Sequence, residues 1–211
     1  LADAVLARAR ALDDRARQVA EAGAVIGRSF ELELLGAVSR LDPEALDHGL
    51  RQLQERYLVV PGADPHGSFD FRHALIRDVL YDDIPLPRRR RLHERVATVA
   101  AGRGYRDAFV SAHFEQAGLA EPAHRHALTA AREAAALSAH REALALYRRA
   151  QRNLPAGQAP PEQAALLAAI GDEAAAVDDN AAALEAYEQA HRLLAGAGDR
   201  LGAAAVVARL V

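Results

Sequence analysis

Ala143-Leu144-Ala145-Leu146-Tyr147-Arg148-Arg149-Ala150 is answered forty residues on by Ala183-Leu184-Glu185-Ala186-Tyr187-Glu188-Gln189-Ala190. Each stretch sets a small residue, an aromatic four positions later and a small residue three after that (Ala143, Tyr147, Ala150; Ala183, Tyr187, Ala190). Positions spaced by three and four share one helical face. Small residues there let two helices approach closely, and the aromatic fills the space beside them. Self-similarity at a fixed period marks a helical repeat array. Leu167, Ile170, Gly171 and Ala174 form the apposed helix of the second unit, and a third such helix is expected 34 residues on as Leu201, Ala204, Ala205 and Ala208. Because the first step is 40, an inserted loop is expected over Pro155 to Pro161. Tyr147 and Tyr187 are expected to be packing residues rather than ligand contacts. The alternative is a generic Ala-rich helical bundle, which the shared register disfavours.

Around this core the pattern predicts helices over 107–117, 121–137, 139–153, 161–176, 180–195 and 198–211. Gly118, Pro155-Ala156-Gly157 and Gly196-Ala197-Gly198 punctuate them. An array ending without a polar cap exposes an apolar face. Val206, Val207, Leu210 and Val211 are therefore expected to pack on more protein, which favours self-association or a continued chain.

Toward the amino terminus the periodicity changes. A first helix carries Leu1, Val5, Leu6, Ala9 and Leu12; a second follows a cap at Asp13 or Asp14 and ends at Gly27. Phe30 is expected to open a third helix with Leu32, Leu34, Leu35 and Val38. Asp42-Pro43-Glu44 is a helix start, Asp as cap and Pro at the first position, with Leu46, Leu50, Leu53 and Tyr57 inward. Leu58-Val59-Val60 and Ser68-Phe69-Asp70-Phe71-Arg72 then read as two strands about a turn-rich tip, Pro61 to Gly67. Helix resumes over His73 to Ile84, with Leu75, Ile76, Val79 and Leu80 inward. Pro85-Leu86-Pro87 breaks it, and Arg88 to Ala101 forms the next helix. Helices followed by a β-hairpin follow the winged-helix plan.

Composition bounds the chemistry. The 211 residues hold no Cys, so disulfides and thiolate metal sites are excluded. No stretch approaches the roughly 20 apolar residues of a membrane span, and no signal peptide is visible, so a cytoplasmic location is expected. All 26 basic residues are Arg; without Lys the chain has no P-loop of the form G-x-x-x-x-G-K-[ST]. The absence of Met, even at the start, points to a processed or excised segment. Residues 1–84 carry a net charge of −5, residues 85–154 of +7 and residues 155–211 of −5. A basic middle between acidic ends suits internal docking as well as a polyanion partner.

Four segments carry a family resemblance: Ala24-Val25-Ile26-Gly27-Arg28-Ser29-Phe30, Phe71-Arg72-His73-Ala74-Leu75-Ile76-Arg77-Asp78-Val79-Leu80-Tyr81, Arg88-Arg89-Arg90-Arg91-Leu92-His93-Glu94-Arg95-Val96-Ala97 and Ser111-Ala112-His113-Phe114-Glu115-Gln116-Ala117-Gly118. In this order they resemble the bacterial STAND-class signal-transduction ATPases, more narrowly the large ATP-binding LuxR-type transcriptional regulators and the ATPase modules associated with adenylate cyclases. The repeat at Tyr147 and Tyr187 is similar to the tetratricopeptide repeat. The resemblance implies a mainly α fold: a winged-helix-like module with its preceding helix over 1–84, a connecting helix over 85–106, and a tetratricopeptide-like superhelix over 107–211, incomplete at its end. It also implies an ATPase core and an output domain outside this chain, ATP or ADP bound there, and an effector or protein partner for the repeats. In related proteins a histidine of a Met-His-Asp motif contacts the β-phosphate of ADP, and the resemblance implies that role for His73. Here Ala74 stands where the motif has Asp. The other reading of His73 is a structural bridge between wing and helix.

No catalytic residue, cofactor or metal is expected within the chain itself. His113, His124, His126 and His140 lack the spacing that gathers metal ligands on one face, and most of them read as surface residues. The run Arg88 to Arg91, with Arg95, wraps around its helix and reads as a solvated or docking segment rather than a nucleic-acid site. The helix Pro43 to Arg56 sets Glu44, Asp47 and Glu55 against Arg51 and Arg56, too little positive charge for DNA. Two functions lead, a regulatory and sensor part of a STAND-type regulator or a stand-alone tetratricopeptide-type adaptor; a third, a nucleic-acid-binding protein, rests only on the arginine run and the winged-helix shape.

Overall fold

A computed structural model describes residues 2–62, 64 and 67–209. The described residues are mainly helical, with one small antiparallel sheet. No described helix is long and apolar enough to cross a membrane. The chain divides into two compact units, residues 1–105 with 116–118, and residues 106–115 with 119–211.

The first unit holds α1 (Ala2–Arg10), α2 (Asp14–Ile26), β1 (Ser29–Glu31), α3 (Leu32–Ser39), α4 (Pro43–Glu55), β2 (Val59–Pro61), β3 (Ser68–Phe71), α5 (Ala74–Asp83) and α6 (Leu86–Gly102). Its starts are those of the local chemistry. Asp13 accepts from the Ala16 amide at 2.8 Å and Asp42 from the Ala45 amide at 2.8 Å, each satisfying an N–H that the helix cannot. Pro43 and Pro87 fall in first turns, where the missing N–H leaves no bond unmade. α6 therefore begins at Leu86, inside the proline break. It buries Val96, Ala97 and Ala100 and packs on α2 and α3, so the helix expected as a connector belongs to the first unit.

The third strand is a correction. Phe30 was expected to open a helix, but Ser29–Glu31 pairs antiparallel with β3, Phe30 opposite Phe69. β2 pairs on the other side of β3, Val59 opposite Phe71, giving the order β1-β3-β2. Phe30 and Phe71 turn to the buried face with ring centroids 5.4 Å apart. Part of the predicted turn tip, residues 63, 65 and 66, lies outside the described residues, as do Leu1, Leu210 and Val211.

The second unit holds most of α7 (Asp107–Ala117), then α8 (Ala120–Ala136), α9 (His140–Arg152), α10 (Pro160–Ala176), α11 (Asn180–Gly196) and α12 (Arg200–Val207). From α8 onward a helix begins every 20 residues, and consecutive helices pack on one another. The step of 40 is therefore the true period and not a 34-residue unit with an insertion. α9 has 13 residues where α11 has 17, and the segment after Arg152 takes the place of the missing turn. The third unit is in register at 40 as well. Leu201 is 87% exposed, while Ala203 and Val206 are buried, so the expected inward set on α12 is corrected. α12 also stops at Val207, short of the predicted end.

Tyr147 and Tyr187 are both buried among alanines and leucines. A Cβ on Gly171 would stand 2.4 Å from Tyr187 Cε1, so only glycine admits this ring against α10. Glu115 ties α7 to α9, accepting from Arg149 Nε at 3.0 Å, Arg152 Nε at 3.1 Å and Asn153 Nδ2 at 2.9 Å. These bonds, led by Arg152, outweigh burial and hold its carboxyl below the usual range.

Candidate functional site

The sequence placed His73 between a strand and a helix. It is the N-cap of α5, in extended conformation, and its side chain makes no cap hydrogen bond. It is exposed, at a helix start whose first amides have no intrahelical acceptor.

Two local events build a cleft beside it. α4 closes at Arg56, Tyr57 takes the left-handed region at φ 56°, and the Leu58 amide returns to Leu53 O at 2.9 Å. The reversal sends Leu58 and Val59 into the core and leaves Tyr57 63% exposed, correcting its expected inward place. The Arg72 amide then donates to Leu58 O at 3.1 Å, which sets the end of β3 beside that turn. The Arg72 guanidinium lies 5.4 Å from the Tyr57 ring centroid.

α1 closes the other side with Val5 and Arg8, and α5 adds Leu75 and Ile76. Leu75, expected inward, is 40% exposed and faces this space. The cleft has a volume of about 640 Å³. It gathers Arg8, Arg56 and Arg72 with His73 against one carboxylate, Glu55. Among the described residues, no ion pair engages those three arginines. The arrangement suits a multiply charged anion with an aromatic or apolar portion, such as a nucleoside phosphate.

The four segments singled out in the sequence have distinct fates. Arg77 Nε donates to Ala24 O at 2.8 Å, and the Phe30 and Phe71 rings meet at a tilt, so two of them meet in the first unit. The arginine run is largely consumed there: Arg88 pairs with Glu21 at 2.5 Å, Arg89 lies over Tyr81 at 4.7 Å, and Arg95 donates to Val38 O at 2.7 Å. Burial outweighs Arg88 at Glu21 and raises its carboxyl pKa. Arg90 and Arg91 remain exposed. Comparison with protein-family models, curated proteins and solved structures returns no match to this chain.

Two of the histidines expected at the surface are inside, a further correction. His113 and His124 are buried; His113 packs on Phe109 with centroids 4.4 Å apart, and His124 Nδ1 is 2.8 Å from Ala150 O. His126 bonds Asp107 and stacks on Phe114, and His140 pairs with Glu173 at 2.8 Å. Each replaces lost hydration with a specific partner or ring, which is how a polar ring tolerates burial. No group of three or more potential ligands gathers for a metal among the described residues. Sequence reading missed Arg8, Arg56, Tyr57 and Arg72 as a set. They lie on three separate segments, α1, the turn after α4 and the end of β3, and only the fold brings them to one cleft.

Proposed function

We propose that this chain is the regulatory and sensor part of a STAND-type ATPase regulator, its first unit a winged helix and its second a tetratricopeptide-like array. In this reading the first unit contacts nucleotide held by an ATPase core outside the chain, and the repeats couple an effector or partner to that state. The His73 cleft carries the reading. A histidine that makes no cap hydrogen bond and three arginines without an ion pair among the described residues, around one concavity, suit a nucleotide phosphate supplied from outside. The order α2-β1-α3-α4-β2-β3 with strand order β1-β3-β2 supports the winged-helix assignment. A ligand shifts such a switch only by binding one state better than the other, and the phosphate contact supplies that difference.

The test is His73→Ala in the intact regulator. ADP retention is expected to fall and basal output to rise; unchanged retention with unchanged output would overturn the assignment.

The adaptor reading draws on a separate feature of the second unit. Leu154, Leu166, Leu167 and Leu193 line a groove of about 400 Å³ together with Gln151, Gln163, Gln189 and Arg192. Apolar side chains with a few polar groups among them suit a peptide segment. On this reading His73→Ala leaves partner binding intact.

A further inference from the structure

Most of the elements around the His73 cleft are fixed within the first unit. α4 packs on α2, β3 lies between two strands, and α5 packs on α2 and β3. α1 is the exception: among the described residues its strong contacts are to α5 alone. It has 9 residues, fewer than a helix needs to hold in water by itself. Its place therefore depends on packing, with Val5 and Ala9, one turn apart, buried. The chain turns at Ala11 and Leu12 and is pinned again at Asp13, whose carboxylate bonds His48 at 2.8 Å and Gln52 at 2.7 Å on α4. A short helix between a fixed cap and one packing face is the part of the cleft wall that can move.

Charge acts on that helix. α1 brings Arg8 to the cleft that also holds Arg56, Arg72 and His73 with one carboxylate, Glu55. Without a counter-ion the three guanidiniums repel one another, and release of α1 is the movement that relieves them. An anion among them reverses the sign, and Arg8 then draws α1 onto the cleft. Three arginines against one carboxylate leave two positive charges unbalanced. A pyrophosphate group, multiply charged and rich in acceptor oxygens, satisfies them where a single carboxylate does not.

We infer that α1 is a latch closed by the anion: Arg8 binds a pyrophosphate group together with Arg56 and Arg72, and the bound group holds α1 on α5. The inference rests on the reading of this cleft as a phosphate site and goes beyond it, because it assigns the ligand-dependent difference between states to one helix. A ligand stabilises the closed arrangement by the ratio of its affinities for the closed and open forms. Arg8→Gln takes from the site what the opening of α1 takes from it. The factor by which that substitution weakens binding and the factor by which saturating ligand slows exchange in α1 are therefore the same number.

The experiment is titration calorimetry and amide hydrogen exchange on the chain with sodium pyrophosphate and with ADP, at matched ionic strength so that screening alone does not act. Arg8→Gln, at an exposed position, is expected to weaken pyrophosphate binding about tenfold, the worth of one contact to a charged group. Saturating pyrophosphate is expected to slow exchange in α1 of the wild type by a similar factor, to slow it little in Arg8→Gln, and to leave α12 unchanged. Arg10→Gln makes the same charge change on the same helix at a residue that does not line the cleft, and is expected to bind as the wild type does. ADP binding more tightly than pyrophosphate assigns a nucleotide as the source of the group; the reverse order assigns the free anion. Binding undiminished in Arg8→Gln, or exchange in α1 unchanged at saturation, overturns the latch while the phosphate reading of the cleft stands. Absence of binding by both anions also overturns the latch, and His73→Ala in the intact regulator then decides the phosphate reading separately.

Discussion

His93 sits on α6, 4% exposed, with Nε2 2.8 Å from the Tyr81 hydroxyl. Arg77 and Arg89 both approach the Tyr81 ring, at 4.3 and 4.7 Å from its centroid. Protonating His93 would bury a third cation beside these two, so burial first, then Arg77 and Arg89, depress its pKa from 6.5 to about 4. The folded value lies below the unfolded one, so between them the unfolded chain binds more protons. The neutral ring's contribution is complete above pH 6.5 and is lost as pH falls toward 4, by roughly 3 kcal/mol. His93→Gln keeps a polar partner for Tyr81 and removes the titration. In denaturant unfolding at pH 7, 5.5 and 4, the stability gap between wild type and His93→Gln is expected to shrink by about that amount. A gap independent of pH would refute the buried neutral histidine. The sequence displayed His93 only as one residue of an arginine-rich helix. What buries it is the packing of α6 on α2 and α3, and no local pattern reports that.

Among the elements, the turns of the second unit repeat their geometry. Ser138 at φ 56°, Asp178 at φ 63° and Gly198 at φ 80° each precede the N-cap of the next helix. The amides of Ala139, Asp179 and Asp199 each donate back to the ending helix, to Ala134, Ala174 and Leu194 oxygens, at 2.9 Å. Asp179 and Asp199 also cap the new helix, accepting from Ala182 and Gly202 amides at 3.2 and 2.9 Å. Ala139 occupies the same place with no side-chain cap. Ala139→Asp is therefore expected to stabilise the chain by about 1 kcal/mol and Asp179→Ala to destabilise it by a similar amount. Thermal melts of both variants test this; a melting point unmoved in each would mean that the shared turn, and not its cap, sets where these helices start. The starts at Asp13, Asp42 and Pro43 were legible because a cap is written within four residues. The helical repeat was legible because its spacing recurs. β1 was not: three residues with one buried phenylalanine fit a strand or a helix start equally, and only pairing with a segment forty residues away decides.

At the scale of the whole chain, the two units hold their contacts differently. In the first, α2 touches α3, α4, α5, α6 and β1, so it cannot leave without exposing all of these. In the second, each helix of the array rests chiefly on its sequence neighbours, the nearly one-dimensional order of a repeat protein. Such an array opens locally, each helix according to the interfaces it shares. α10 is held by both α9 and α11. α12 rests on α11 alone among its strong contacts and buries only Ala203 and Val206. Native-state amide exchange is expected to rank the helices accordingly, α12 opening first and α10 last within the second unit. Val206→Ala removes one of the two side chains holding α12, a loss of about 1–3 kcal/mol at that interface. Because α12 opens before the rest, the variant is expected to speed exchange in α12 and leave that of α10 and α2 unchanged. Equal acceleration in all three would mean that the chain opens as a single cooperative unit, and that the neighbour-by-neighbour order read from the helical array does not govern its stability.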